Sequence, residues 1–355
     1  MAEFLTTNGT SYHIENIIIE AKAKLVLVSP YLQISKTFYE RLKDASNKDV
    51  AIKIKDTAKA LNYRTNQIAK SLKTSKTFTI GLIVSDIANP FSSSLARIIE
   101  DEADKKGYTV IFGSSDEDAQ KSQKLIDTFL NRQVDGLIIA PVDDSIEQIQ
   151  YLEKEGIPFV LIDRYFPELK TNYVAIDNFK AAHQATNCLI NSSYKRIGLI
   201  TYQSKLDNLI ERKKGYLAAL KEQQIEIKKN WIREVCYNNA TEGVEKAMNS
   251  LLSLTEPVDA ILFASNALTT DGLRYINRHN LKIPEELGIV SFDESDALDL
   301  FRPTLTYIKQ PLQEMGQTAT KILLENIDRN NKISQIKMDG ELIIRKSSLP
   351  VAMHA

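Results

Sequence analysis

From Thr79 onward, short apolar runs alternate along the chain with amphipathic stretches of 10 to 18 residues. The runs are TIGLIV (79–84), TVIF (109–112), GLIIA (136–140), FVLI (159–162), RIGLIT (196–201), AILFA (260–264) and GIVSF (288–292). They are rich in Ile and Val and are not polar at every second position, which predicts parallel strands covered on both faces. The stretches between them, among them 92–106, 119–132, 208–223 and 241–254, carry a helical period. Strand followed by helix, repeated, predicts an α/β fold built on doubly wound parallel sheets.

The strand-to-helix breaks at 86–90, 114–118, 141–145, 163–167 and 293–296 collect acidic and small polar residues. In open parallel sheets the ligand crevice lies at the carboxyl ends of the strands, so a site is expected there. Each such residue taken singly also suits the capping of the next helix. Their repetition at successive strand ends is what points to a ligand.

Composition narrows the function. With 43% hydrophobic and 26% charged residues, the 355-residue chain reads as two or three ordinary globular domains. Its two cysteines, Cys188 and Cys236, lie far apart and near no histidine cluster, so neither a disulfide framework nor a zinc site is expected. The first 24 residues lack the apolar core of a signal peptide, and no apolar run approaches the roughly 18 residues of a membrane span, so a cytoplasmic protein is expected. The 13 glycines never fall in G-x-G-x-x-G or G-x-x-x-x-G-K-[ST] spacing, and neither H-E-x-x-H nor G-x-S-x-G occurs. No catalytic residue, metal or cofactor is therefore expected.

The formal net charge of −1 hides two unlike parts. Residues 50–76 hold seven bases and one acid, whereas residues 77–355 hold 32 bases and 39 acids. A basic segment thus precedes an acidic body. In the segment NQIAKSLKTSKT, Ile68 and Leu72 stand four apart among lysines, a pattern suited either to a solvated helix face or to a short helix presenting apolar side chains amid phosphate contacts.

The order and spacing of several motifs resemble the LacI-type bacterial transcriptional regulators, whose effector domain is periplasmic-binding-protein-like. LNYRTNQIAKSLKTSKTFTIGLIVSDIANPF (61–91) is similar to that family's last headpiece helix, hinge helix and first core strand. DGLIIAP (135–141), GIPFVLIDR (156–164), YVAIDN (173–178), RIGLI (196–200), ERKKGYLAAL (211–220), IPEELGIVSFDE (283–294) and LTYIKQPLQEMG (305–316) continue it to about residue 350. The resemblance implies two similar subdomains, 77–176 plus 307–338 and 177–306 plus 339–355, crossed by the chain near Asp177, Thr306 and Asp339. It also implies a small-molecule effector between them, usually a sugar or nucleoside, a homodimer, and hinge helices that pair on operator DNA.

By the same resemblance the effector contacts are Phe91, Ser92, Asp163, Arg164, Arg212, Asn266, Asp293 and Gln310. Arg212 can fork donors onto adjacent hydroxyls, Asp163 and Asp293 can accept from them, and Phe91 can stack on an apolar sugar face. The alternatives are core packing for Phe91 and helix capping for the two aspartates. Arg212 is read as opening a helix, where the dipole disfavours a cation, so another reason for it is sought. The DNA contacts implied are Asn66, Ile68, Ala69, Lys70, Leu72 and Lys73, with Leu72 wedged into the minor groove. An ordinary buried place in the linker is the alternative for Leu72. The chain departs from the family pattern at Ala267, where an Asp is common, at Ser291, usually Gly, and at Glu294, usually Asp.

Residues 1–49 do not resemble the family's helix-turn-helix. They predict helix (11–23), strand LVLVS (25–29) and helix (36–45), an atypical α/β segment whose opening resembles phospholipase-D-like domains. The H-x-K-x4-D of those enzymes is absent, which removes their chemistry. Residues 50–76 are read as a residual headpiece helix and a basic hinge helix. The function expected is effector-controlled DNA-binding regulation; the alternative is a sugar-binding sensor that has lost sequence-specific DNA binding.

Overall fold

The computed structural model describes residues 76–349 apart from 296, 297, 299 and 329–331. The expectations placed on residues 1–49 and on the basic segment, including Asn66, Ile68, Ala69, Lys70, Leu72 and Lys73, lie outside the described residues.

Two six-stranded sheets carry the fold. The first contains β1 (Thr79–Val84), β2 (Thr109–Ser114), β3 (Gly136–Ile139), β4 (Phe159–Ile162), β5 (Tyr173–Ile176) and β11 (Gln335–Met338), in the order β2-β1-β3-β4-β5-β11. The second contains β6 (Ile197–Tyr202), β7 (Ile232–Val235), β8 (Ala260–Phe263), β9 (Gly288–Phe292), β10 (Thr306–Lys309) and β12 (Glu341–Ile343), in the order β7-β6-β8-β9-β10-β12. All pairings are parallel except β12 on β10. The central strands β3, β4, β6, β8 and β9 are buried at every position, as their unbroken apolar runs require. Edge strands β2, β7 and β11 are half exposed and carry polar residues.

The first lobe is completed by α1 (Pro90–Asp104), α2 (Ala119–Asn131), α3 (Ile146–Lys154) and α8 (Leu312–Ile327). The second has α4 (Asn178–Asn191), α5 (Asp207–Glu222), α6 (Ala240–Leu252) and α7 (Asn266–His279). Their starts are chemically marked. Asn89 accepts from Phe91 N with Pro90 in the first turn of α1, Asp118 accepts from Lys121 N, Asp177 from Lys180 N and Ser265 from Leu268 N. Asn280 ends α7 on left-handed backbone (φ 55°). None of the described helices is long and apolar enough to cross a membrane.

The chain passes between the lobes around Asp177, Gln310 and Asp339. Asp177 N donates to Met338 O (2.8 Å), and Lys180 Nζ meets Asp339 Oδ2 (2.7 Å), tying two passages together. The second passage falls later than the 306/307 boundary read from the sequence. Thr306, Tyr307 and Ile308 pair with Val290, Ser291 and Phe292, so β10 belongs to the second sheet and the chain leaves it only at Gln310–Pro311. The strand is anchored by a hydroxyl from the chain's last described turn: Ser347 Oγ accepts from Thr306 N (2.8 Å) and donates to Ile289 O (2.7 Å), all buried. Ser347→Ala is expected to strand that N–H and to cost about 2 kcal/mol in a urea unfolding curve.

Candidate functional site

A cavity of about 390 Å³ lies between the lobes at the carboxyl ends of both sheets. The first lobe contributes Phe91 and Ser92 from the start of α1, Glu117 from the turn after β2, and Asp163 and Arg164 from the turn after β4. The second contributes Tyr202 from β6, Asn208 and Arg212 from α5, Tyr237 after β7, and Asp293 after β9. Gln310, at the passage between lobes, completes it. Seven residues expected from the sequence, Phe91, Ser92, Asp163, Arg164, Arg212, Asp293 and Gln310, thus converge on one cavity. The eighth, Asn266, stands beside it: its Nδ2 donates to Asn89 Oδ1 (2.9 Å) across the lobes, and it lines the neighbouring cleft.

Acids around the cavity sit on backbone that L-residues adopt sparingly, Asp116 (φ 52°) among them. Glu117 (φ 57°), Asp163 (φ 66°) and Asp293 (φ 69°) are all left-handed. At Asp163 the turn is a three-residue one, closed by Arg164 N on Ile162 O (2.7 Å). Such conformations cost about 1–3 kcal/mol each and persist where surrounding structure or a ligand fixes them.

The two arginines differ in their commitments. Arg164 is buried and forks onto Glu117, with Nη1 to Oε2 and Nη2 to Oε1 both at 2.7 Å. Its Nε is 3.4 Å from Asp163 Oδ2. Arg212 is also buried; Nε donates to Asn178 Oδ1 (2.8 Å), Nη1 donates to Ala264 O (2.6 Å), and the guanidinium lies 4.0 Å from the Phe292 ring centroid. Among the described residues no acceptor is paired with its Nη2. Burial pulls the Arg212 guanidinium below its ordinary value, against the opposing fields of Asp293 and Asp163. Arg212 is the sixth residue of α5, one turn past the helix start, so the dipole argument for its role gives way to these contacts.

Asp163 does not cap a following helix; a turn and then β5 come next. Asp293 accepts from Gln310 Nε2 (2.6 Å) and from the backbone of Asn266, the first residue of α7, so it serves a helix from another part of the chain. Burial raises the pKa of both carboxyls, opposed by Arg164 and Arg212 at Asp163 and by Arg212 and Gln310 at Asp293. A carboxyl whose folded pKa is raised destabilises the fold as pH climbs from the unfolded value of about 4 through the folded value. Asp293→Asn is therefore expected to unfold at higher urea than wild type at pH 7, with the gap closing as pH falls toward about 4; a gap that widens on acidification contradicts this.

Residues 77–346 match the family model described as "Periplasmic binding proteins and sugar binding domain of LacI family". The chain belongs to the LacI family.

Its relatives are transcriptional regulators. The chain is 33% identical over 301 residues to the HTH-type transcriptional repressor CytR of Escherichia coli strain K12, covering 83% of this chain and 86% of that one. Among solved structures it resembles the transcription regulator CcpA of Lactococcus lactis (28% identity, TM-score 0.70, 76% of this chain and 98% of that one). It also resembles a LacI family regulator from Enterococcus faecium with bound ribose (27% identity, TM-score 0.67, 77% and 99%). Against the LacI pattern, Ala267 lines the cavity where an acid is common, and the Ser291 hydroxyl is absorbed by Thr269 (2.7 Å) and the Phe292 carbonyl (2.9 Å). Glu294 lines the neighbouring cleft and not the cavity, accepting from Tyr307 (3.1 Å) and pairing with Lys309 (3.2 Å).

Several lining residues were not singled out by sequence reasoning. Glu117 lies in a break that was, but nothing marked it as the partner of Arg164. Tyr202 and Tyr237 stack at 3.9 Å with 16° between their planes. Tyr237 follows β7, an edge strand with no apolar run, so no sequence signal placed it at a strand end.

Proposed function

We propose that this chain is a DNA-binding transcriptional regulator whose operator affinity is set by a sugar or related metabolite held in the cavity between its lobes. The convergence of Phe91, Ser92, Asp163, Arg164, Arg212, Asp293 and Gln310 on one cavity carries this reading. Phe91 is both buried core and cavity wall, so it offers a ring face without moving. Arg212 Nη2 supplies a donor, while Asp163, Asp293 and Gln310 supply acceptors. A ligand bridging both lobes stabilises one lobe orientation over others, and that difference is what it can transmit to DNA.

The DNA half rests on residues 50–76. Lys70 and Lys73 meet phosphates, Asn66 caps, and Leu72, with Ile68 and Ala69 on the same short helix, enters the minor groove of a site bound by a homodimer. Residues 1–49 stand in place of a helix-turn-helix and are read as a phospholipase-D-like segment, so DNA affinity comes from the hinge and the basic segment. The protein acts in the cytoplasm and catalyses nothing. A second reading, a sensor without sequence-specific DNA binding, is favoured by the lack of any recognisable helix-turn-helix motif in residues 1–49.

Retention of genomic fragments by the full chain at low salt separates the two. Selective retention, with Lys70→Gln and Lys73→Gln each flattening the log–log salt slope by about 0.9, supports the regulator. Equal retention of all fragments supports the sensor.

A further inference from the structure

The cavity's wall carries five carboxylates, Asp86, Asp116, Glu117, Asp163 and Asp293, against two guanidiniums. Both guanidiniums are already matched: Arg164 by Glu117 at 2.7 Å, and Arg212 by the fields of Asp293 and Asp163. Asp116 is paired with Lys121 and Glu117 with Arg164, so Asp86, Asp163 and Asp293 are left facing Arg212 alone, an acidic wall while either buried aspartate is ionised.

Hydrogen-bond logic fixes the polarity of the remaining groups. With Asp293 ionised its carboxylate only accepts, so Gln310 presents its amide nitrogen to it (2.6 Å). That leaves Gln310 Oε1 as a buried acceptor without a partner. Tyr237 OH is likewise buried and unpartnered. The wall therefore needs a ligand rich in donors that also offers an acceptor to Tyr237 and to Arg212 Nη2. A hydroxyl does both. A phosphate or carboxylate only accepts and adds negative charge facing negative charge.

Building on the effector reading above, we propose that the ligand is a neutral or amine-bearing polyhydroxylated molecule, and that its phosphorylated and carboxylated forms are rejected by charge. Rejection resides in the acidic wall rather than in lack of room.

Calorimetric titration of the full chain with matched sets tests this: D-ribose with ribose 5-phosphate; D-glucose with glucosamine, gluconate and glucose 6-phosphate; adenosine with AMP. The expected result is binding by a neutral or amine member and at least tenfold weaker binding by its anionic counterpart. Asp163→Asn, and the more exposed Asp86→Asn, should each narrow that ratio, whereas exclusion by size would leave it unchanged. An anionic member that binds more tightly than its neutral parent, or a ratio unmoved in both variants, overturns the charge assignment alone. Silence across every set overturns the effector reading itself.

Discussion

Arg212→Ala loses ligand binding and lowers the unfolding free energy by about 3–5 kcal/mol, the range for removing one partner from a buried charged network. The substitution leaves Asn178 Oδ1 and the Ala264 carbonyl without their donor, bares the face of Phe292, and removes the larger of the two positive fields at Asp293 and the smaller of the two at Asp163. Sequence reasoning alone makes Arg212 a ligand contact whose loss leaves folding intact. The structure makes it a strut of the second lobe that also faces the cavity. Urea unfolding and calorimetry on the same variant decide: lost binding with unchanged stability contradicts the strut. Arg212→Lys keeps the charge but cannot make the paired Nε and Nη1 contacts, so it should fall between wild type and alanine in both measurements.

Gly215→Ala should be the most damaging small change outside the cavity. Inside a helix, alanine normally gains up to about 1 kcal/mol over glycine. Here a Cβ would stand 2.2 Å from the Phe179 carbonyl oxygen and 3.0 Å from His183 N, backbone atoms of α4 that cannot swing aside. The helices must separate, and overpacking of this kind costs about 3 kcal/mol. Steric cost exceeds propensity, so the variant is expected to unfold at lower urea; a gain in stability would mean that α4 and α5 are not in close contact at this point. Because α5 also carries Arg212, ligand affinity should fall with it.

Much of the fold was legible because the central strands are buried on both faces. TIGLIV, FVLI and GIVSF coincide with β1, β4 and β9. The strands β7, β11 and β12 were not legible, since IREV, QIKM and ELI are short, polar and only partly buried at sheet edges. β10 was assigned across a boundary because TYIK reads alike in either lobe; only its pairing with β9 decides. At the site, residue chemistry at strand ends pointed to the cavity, but pairings across long sequence separations did not show. Glu117 with Arg164 and Asp293 with the start of α7 are joined by the fold alone. Capping explained Asn89, Asp118, Asp177 and Ser265. It did not explain Asp163, whose strained turn has no helix after it.

The central claim is a coupling between the cavity and DNA, and coupling is reciprocal. It is tested most directly by fluorescence anisotropy of a fragment retained by the full chain, titrated with and without a saturating amount of the tightest ligand from the matched sets. The account predicts a change in DNA affinity of about 5-fold to 150-fold, with the same factor recovered when ligand affinity is measured with and without DNA. Equal DNA affinity in both states, with the ligand demonstrably bound, would contradict it.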